Sequence, residues 1–390
     1  MTLLRLAWRN LLGAGTRTAL NVLVLSLTFV AIVASLGLLE GMNQQTARAM
    51  VEAEVGGGQL WHPRYDPFDP LALAEAHGAP PPAARRMIAD GSAAAILVVP
   101  GTFYPNGRLR PLLLKGIDPG QRVLALPTGP LAADGDEIPI LIGQRTARAC
   151  GLAVGDTVTL QWRDAAGTID ARDARVVEVM RTPVQSVDLN QAWLPLERLR
   201  GLAAMPGEAT LVVAARDVVP PADAGAWRSR SQDELLADVR SLVRSKAVGA
   251  AIVYVLLLFL SMLAIFDTQV LSLFRRRKEI GTLMALGMPR GTVAALFTLE
   301  GALHGVLAVV AGALYGAPLL ARFARVGWKL SVKADSYGFA LGDTLYPVYS
   351  LRVVALTLLG LLLVTTFVSF LPTRRIASLQ PTEALRGRAG

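Results

Sequence analysis

A single cysteine, Cys150, stands among 390 residues, so no intrachain disulfide is available and the redox compartment cannot be read from thiols. No G-x-x-x-x-G-K-[ST] occurs, which leaves the chain without a P-loop to cradle ATP. The G-x-S-x-G elbow, H-E-x-x-H and cysteine-based metal patterns are also missing, and no catalytic centre is inferred. Charge is scarce: charged residues make up 18% and hydrophobic ones 53%, too apolar for a typical soluble domain. Cations exceed anions, for a net charge of +9. Much of that excess flanks apolar runs, where membrane topology accounts for it, so nucleic acid is not expected as a partner.

What is present in quantity is uncharged length. Thr18–Leu39 carries no charge over 22 residues, enough for one transmembrane helix. Three further spans are expected over 247–274, 291–320 and 353–373. Four consecutive cations, Arg275 to Lys278, follow the second span and mark the cytoplasmic side. Both termini then lie in the cytoplasm and 40–246 faces out. Residues 1–17 read as a basic amphipathic segment at the cytoplasmic interface, with Leu3, Leu4, Leu6, Trp8, Leu11 and Leu12 among Arg5, Arg9 and Arg17. A cleavable signal peptide fits poorly, because the apolar run is too long and no small-residue cleavage pattern follows. The outer loop 321–352 carries Arg322, Arg325, Lys329 and Lys333, outweighed by the cytoplasmic clusters. The tail 374–390 is cytoplasmic.

Between the first two spans, glycines and prolines punctuate short β-rich runs such as Ile96–Val99, Val158–Leu160 and Arg175–Val179, with helix-like pieces at Ala83–Ala89 and Thr146–Cys150. An α+β extracytoplasmic domain is expected. Helical stalks are expected at 40–55 and 231–246, continuous with the spans; Ser231-Gln-Asp-Glu234 is a capping box opening the second. The helix over 18–55 would measure about 57 Å and that over 231–274 about 66 Å. His62 with Asp66 and Asp69 is read as a surface residue beside two turn formers rather than as a metal site.

In the third span, Gly301, Gly305, Gly312 and Gly316 fall on one helix face, two small-xxx-small pairs that let another helix approach. Glu300 and His304 are four apart and can touch, and a helix-packing hydrogen bond is expected rather than a proton relay. Between the second and third spans, 275–290 offers a short apolar patch of Ile280, Leu283, Met284 and Leu286, placed to dock on a soluble partner.

That stretch, Arg276, Glu279, Ile280, Gly281, Ala285 and Gly287 in register, resembles the cytoplasmic coupling segment of FtsX-like ABC transporter permeases; Arg275 stands where that family usually has an acidic residue. Leu114–Pro119, the Gly155-Asp156 hairpin entry and the tail with Pro372, Ala377, Pro381, Ala384 and Leu385 are similar to the same family. The resemblance implies four transmembrane helices, a large extracytoplasmic domain between the first two, and two permease subunits, identical or homologous, on a cytoplasmic ABC ATPase dimer. ATP and Mg²⁺ would sit on that separate partner, none on this chain, and Arg276, Lys278, Glu279, Ile280, Gly281, Met284, Ala285 and Gly287 would carry the ATPase coupling. A fused ATPase domain is not expected at this length. Gly57–Tyr65 resembles a strand of the lipoprotein-releasing branch, with Trp61 and Arg64 departing from its pattern. It implies an inner-membrane machine that extracts lipoprotein or lipid-like cargo from the outer leaflet, with membrane lipid and a lipoprotein or periplasmic acceptor as partners. Two alternatives stay open: a macrolide- or peptide-exporting permease of MacB type, and a signalling scaffold that activates a cell-wall hydrolase.

Overall fold

In the computed structural model, described over residues 2–13, 15–69, 71–133, 135–329 and 344–377, the chain divides into two compact units. Residues 330–343 of the expected outer loop at 321–352 and 378–390 of the expected tail at 374–390, including Lys333, Pro381, Ala384 and Leu385, lie outside the described residues.

The first unit is helical. Helix α1 (Thr2–Gly13) precedes α2 (Thr16–Met50), and the chain returns in α8 (Ala237–Arg275), α9 (Arg277–Ala285), α10 (Arg290–Val326) and α11 (Leu351–Ala377), with α2 and α8 each running on into the second unit. Among the described residues four helices are long and apolar enough to cross a membrane: Thr16–Val55, Ala251–Arg275, Arg290–Val326 and Leu351–Arg374. Helix α10 passes the expected end at 320 by almost two turns, because Ala321–Val326 continues as a cationic helical turn until Gly327 stops it. The second stalk is also not one continuous helix from 231. Ser231 and Glu234 form both halves of the capping box, but that turn ends at Leu236, and the long helix starts anew at Ala237. After Met50 the backbone widens into a single π turn, Val51–Val55, and Gly56 at φ +60° turns it out of the helix.

The second unit is an α+β domain, with the short helices α3 (Pro82–Ala89), α4 (Gln144–Cys150), α5 (Gln185–Asp188), α6 (Leu196–Leu202) and α7 (Gln232–Leu235). Its strands are β1 (Gly58–Trp61), β2 (Ala93–Phe103), β3 (Arg110–Ile117), β4 (Ile138–Gly143), β5 (Thr157–Arg163), β6 (Ile169–Met180), β7 (Gln191–Pro195), β8 (Leu211–Ala214) and β9 (Arg228–Ser231). Six of them pair in a closed cycle, β2-β3-β7-β4-β6-β5 and back to β2. The long strand β2 serves two neighbourhoods: its first half pairs with β8, which carries β1 and then β9 to the edge. Period-two alternation sorts the residues between two cores. Leu97, Val99, Leu114, Ile140 and Leu194 join one, and Ile96, Val98, Ile117, Leu141 and Trp193 the other. The Gly155-Asp156 turn is closed by the Asp156 carboxylate accepting the Ala153 N–H at 2.7 Å, and Val158 and Leu160 share the first core. Asp66 and Asp69 accept the N–H groups of Phe68 and Leu71, two Asx turns in the loop after His62.

Candidate functional site

Helix α8 ends in Arg275, a cation that suits the negative end of its dipole. Arg276 leaves helical geometry at φ −97°, ψ 13°, and α9 begins at once. At its far end the Met288 N–H reaches the Leu283 carbonyl and the Gly287 N–H that of Met284, a Schellman closure with Gly287 at φ +92°. Pro289 then opens α10. The short helix is thus set between α8 and α10 by a non-helical residue before it and a glycine cap after it.

Its apolar patch does not all face outward. Ile280 is 1% exposed and packs with Leu273, Val293 and Phe297, with Met284 and Met288 against the same cluster. Gly281 is buried as well. Burying an aliphatic side chain of this size is worth about 1.5–3 kcal/mol, so Ile280 and Met284 hold α9 on the ends of α8 and α10. The expected docking patch is corrected accordingly: the exposed residues are Lys278, Glu279, Thr282, Ala285, Leu286 (81% exposed) and Gly287.

Arg276 also turns inward. Its Nε donates to Glu279 Oε2 at 2.7 Å, its Nη1 to the Glu300 carboxylate at 3.1 and 3.2 Å, and its guanidinium lies 5.0 Å from the Phe297 ring centre. Glu300 is 7% exposed and accepts a third bond from Asn10 Nδ2 at 2.5 Å. One carboxylate on α10 thereby joins α1 to the residue that opens α9. Asn10 is a functional candidate that its local pattern hides, since its partner lies 290 positions away. His304 does not touch the Glu300 side chain, as its spacing suggests. The Glu300 carboxylate is drawn to the cation, and His304 Nδ1 donates to the Glu300 main-chain oxygen at 2.9 Å. A cavity of about 380 Å³ beside these groups is lined by Arg9, Arg17, Asn21, Gln269, Arg276 and Glu300, among others.

The glycine face serves two neighbours rather than one. A Cβ on Gly301 would strike Ser369, and one on Gly305 would come 2.6 Å from Thr365 Oγ1, both on α11. At Gly312 and Gly316 it would meet Phe29 at 3.0 Å and Val30 at 2.6 Å, both on α2.

Two protein-family patterns match the chain: the FtsX-like permease C-terminal domain over residues 251–381, and the MacB-like periplasmic core domain over 18–227, more than half of the sequence. The chain is also similar to the macrolide export ATP-binding/permease protein MacB of Chromobacterium violaceum, 29% identical over 160 residues. That stretch is 40% of this chain and 22% of the relative, so the match spans about a fifth of that protein's length.

Proposed function

This chain belongs to the FtsX-like family of ABC transporter permeases, and from that premise we propose that it is a mechanotransmission subunit, driven from the cytoplasm and acting outside the inner membrane. Its partner is an ABC ATPase dimer carrying ATP and Mg²⁺; a second permease subunit completes the assembly. The observation that carries the reading is the seating of α9. Ile280 and Met284 are packed into the bundle, Arg276 is bonded to Glu300, and Lys278, Glu279 and Leu286 remain outside. A helix held on one face and free on the other passes an applied displacement to the elements beneath it instead of absorbing it.

In this reading closure of the ATPases moves α9, the spans tilt, and the extracytoplasmic domain changes position, with both termini in the cytoplasm. The cargo is lipoprotein or a lipid-like molecule drawn from the outer leaflet and passed to a periplasmic acceptor, which rests on the likeness of Gly57–Tyr65 to the lipoprotein-releasing branch. Export of periplasmic peptides or drugs is the second reading, favoured by the match to the MacB-like core domain. The test is reconstitution with the cognate ATPase in lipid nanodiscs. Lys278→Glu with Leu286→Asp should abolish stimulation of ATP hydrolysis while the chain stays folded in the membrane. Full stimulation would remove the docking assignment. Mass spectrometry of co-purified species separates the cargo readings: a lipidated protein supports the first, a peptide or drug the second.

A further inference from the structure

The sheet face that carries Ile96 and Trp193 does not close completely. Between it and the residues that follow α2 lies a cavity of about 540 Å³, inside the usual 300–1,000 Å³ of small-molecule sites. Its apolar wall is made by Met50, Trp61, Ile96, Leu124 and Leu211.

Its lining carries charges of both signs, Lys115, Arg228 and Arg230 with Glu54, Asp66 and Glu234. Lys115 stands in the middle of β3, level with Trp193 of the parallel strand β7, and is 8% exposed. Its ammonium lies 5.0 Å from the Trp193 ring centre and, among the described residues, has neither a hydrogen bond nor an ion pair. The Trp193 indole N–H and Arg230 Nε, also in the wall, are buried without acceptors. Buried polar groups are nearly always bonded, so three orphans around one hole call for an explanation. Each carboxylate that lines it already has a partner, Glu234 including Arg230 Nη1 at 3.9 Å. Glu54 accepts from the Ser186 hydroxyl, Asp66 from the Phe68 N–H, and Glu234 from the Ser231 N–H of its own cap. All the unanswered groups are donors. Burial holds the Lys115 pKa below the ordinary lysine value, against the pull of Glu54, and an anion beside it would restore its charge.

We propose that this cavity is a binding site for an anionic amphiphile, with a carboxylate or phosphate seated on Lys115 and hydrocarbon laid along Met50, Ile96, Leu124 and Leu211. The site goes beyond the cargo readings, and every group that forms it lies in the second unit.

The test uses the full chain in nanodiscs of zwitterionic phosphatidylcholine, with 11-bromoundecanoate as a tryptophan-quenching probe. The component of quenching that disappears in Trp193→Phe reports this cavity. It should saturate in the wild type, and Lys115→Met should raise the half-saturating concentration at least tenfold. 11-Bromoundecanol, of equal length and no charge, should bind at least tenfold more weakly than the acid. An alcohol that binds as well as the acid, or an unshifted Lys115→Met curve, overturns the proposal. Should Lys115→Met fail to fold, Arg230→Gln replaces it, with a several-fold weakening expected and an unchanged curve again decisive against the site. Competition identifies the source of the head group. Displacement by dihexanoyl phosphatidic acid but not dihexanoyl phosphatidylcholine assigns an acidic phospholipid, and resistance to both assigns a free fatty anion.

Discussion

Glu300→Leu is the substitution that most directly weighs the junction between the coupling helix and the bundle. It removes a carboxylate whose side chain is 9% exposed and strands Arg276, whose own is 23% exposed. Deleting one member of a buried ion pair costs about 3–5 kcal/mol, and Arg276 keeps Glu279 at 2.7 Å, which places this case near 3 kcal/mol. Arg276→Leu should cost a similar amount, because Glu300 retains Asn10 but loses its counter-charge. In the double variant neither charge is left buried alone, so the summed penalties should fall short of additivity by about 2 kcal/mol. The assay is a double-mutant cycle on reversible unfolding of the full chain in mixed micelles, with ATPase stimulation of the reconstituted complex measured alongside. Additivity to within about 0.5 kcal/mol would refute the claim that these side chains act as a pair. A cycle that couples while stimulation stays untouched in all three variants would leave the pair structural and remove it from the transmission path.

Gly305→Leu should separate α10 from α11, because even a Cβ meets Thr365 Oγ1 at 2.6 Å; a loss of roughly 1–3 kcal/mol, typical of overpacking, is expected in the same unfolding assay. Gly287→Ala has open space for its methyl group but demands φ +92° of an L-residue, so a loss of about 1 kcal/mol without steric clash is expected, read as a lowered unfolding midpoint. Ser231→Ala removes one half of a formed capping box and should cost about 1 kcal/mol, confined to the extracytoplasmic domain as seen by hydrogen exchange at 232–236. Burial pushes the Tyr65 hydroxyl up to about 12 from 10.0, which favours the folded state while the phenol stays neutral. That contribution is whole below pH 10 and is lost as pH rises toward 12; Tyr65→Phe should therefore flatten the alkaline fall in stability, and an identical fall in both proteins would contradict it.

The long apolar helices were legible because a charge-free run of that length has few other uses, and Ser231 with Glu234 announced its cap by spacing alone. Which way α9 turns its apolar residues was not. Ile280 and Leu286 look equivalent in composition, and only the bundle ends, through Leu273 and Phe297, distinguish the buried one from the exposed one. The Glu300–His304 spacing allowed contact, but an i,i+4 relation permits a pair without requiring it, and a guanidinium at 276 competes better for a carboxylate than an imidazole. The closed strand cycle depends on β2 meeting both β3 and β5, and β7 running parallel to β3, pairings between segments whose local patterns carry no record of their partners. Lys115 escaped notice for the same reason: in sequence it is one lysine in a strand, and its isolation is created by Trp193, 78 positions later, in the facing register.

Helix α10 is where these contacts converge. It receives α9 through Val293 and Phe297, Arg276 and Asn10 through Glu300, α11 against Gly301 and Gly305, and α2 against Gly312 and Gly316. Close-packed interfaces of this sort move as bodies or not at all, because a side chain seated over a glycine has no free volume in which to slide. Helix α8 is held differently. Its ties to α2 include two side-chain hydrogen bonds, Thr28 with Ser261 at 2.6 Å and Thr268 donating to Asn21 at 3.2 Å, while Val255, Leu256, Phe259 and Leu260 stay exposed. Ile265, Leu258, Met262 and Phe266 of α8 also pack in one apolar cluster with Leu25, Phe29 and Val33 of α2, so that seam is apolar as well as hydrogen-bonded. Under the proposed lever, then, a displacement of α9 carries α10, α11 and α2 together through the four glycine seats, with α8 tied to α9 through Leu273.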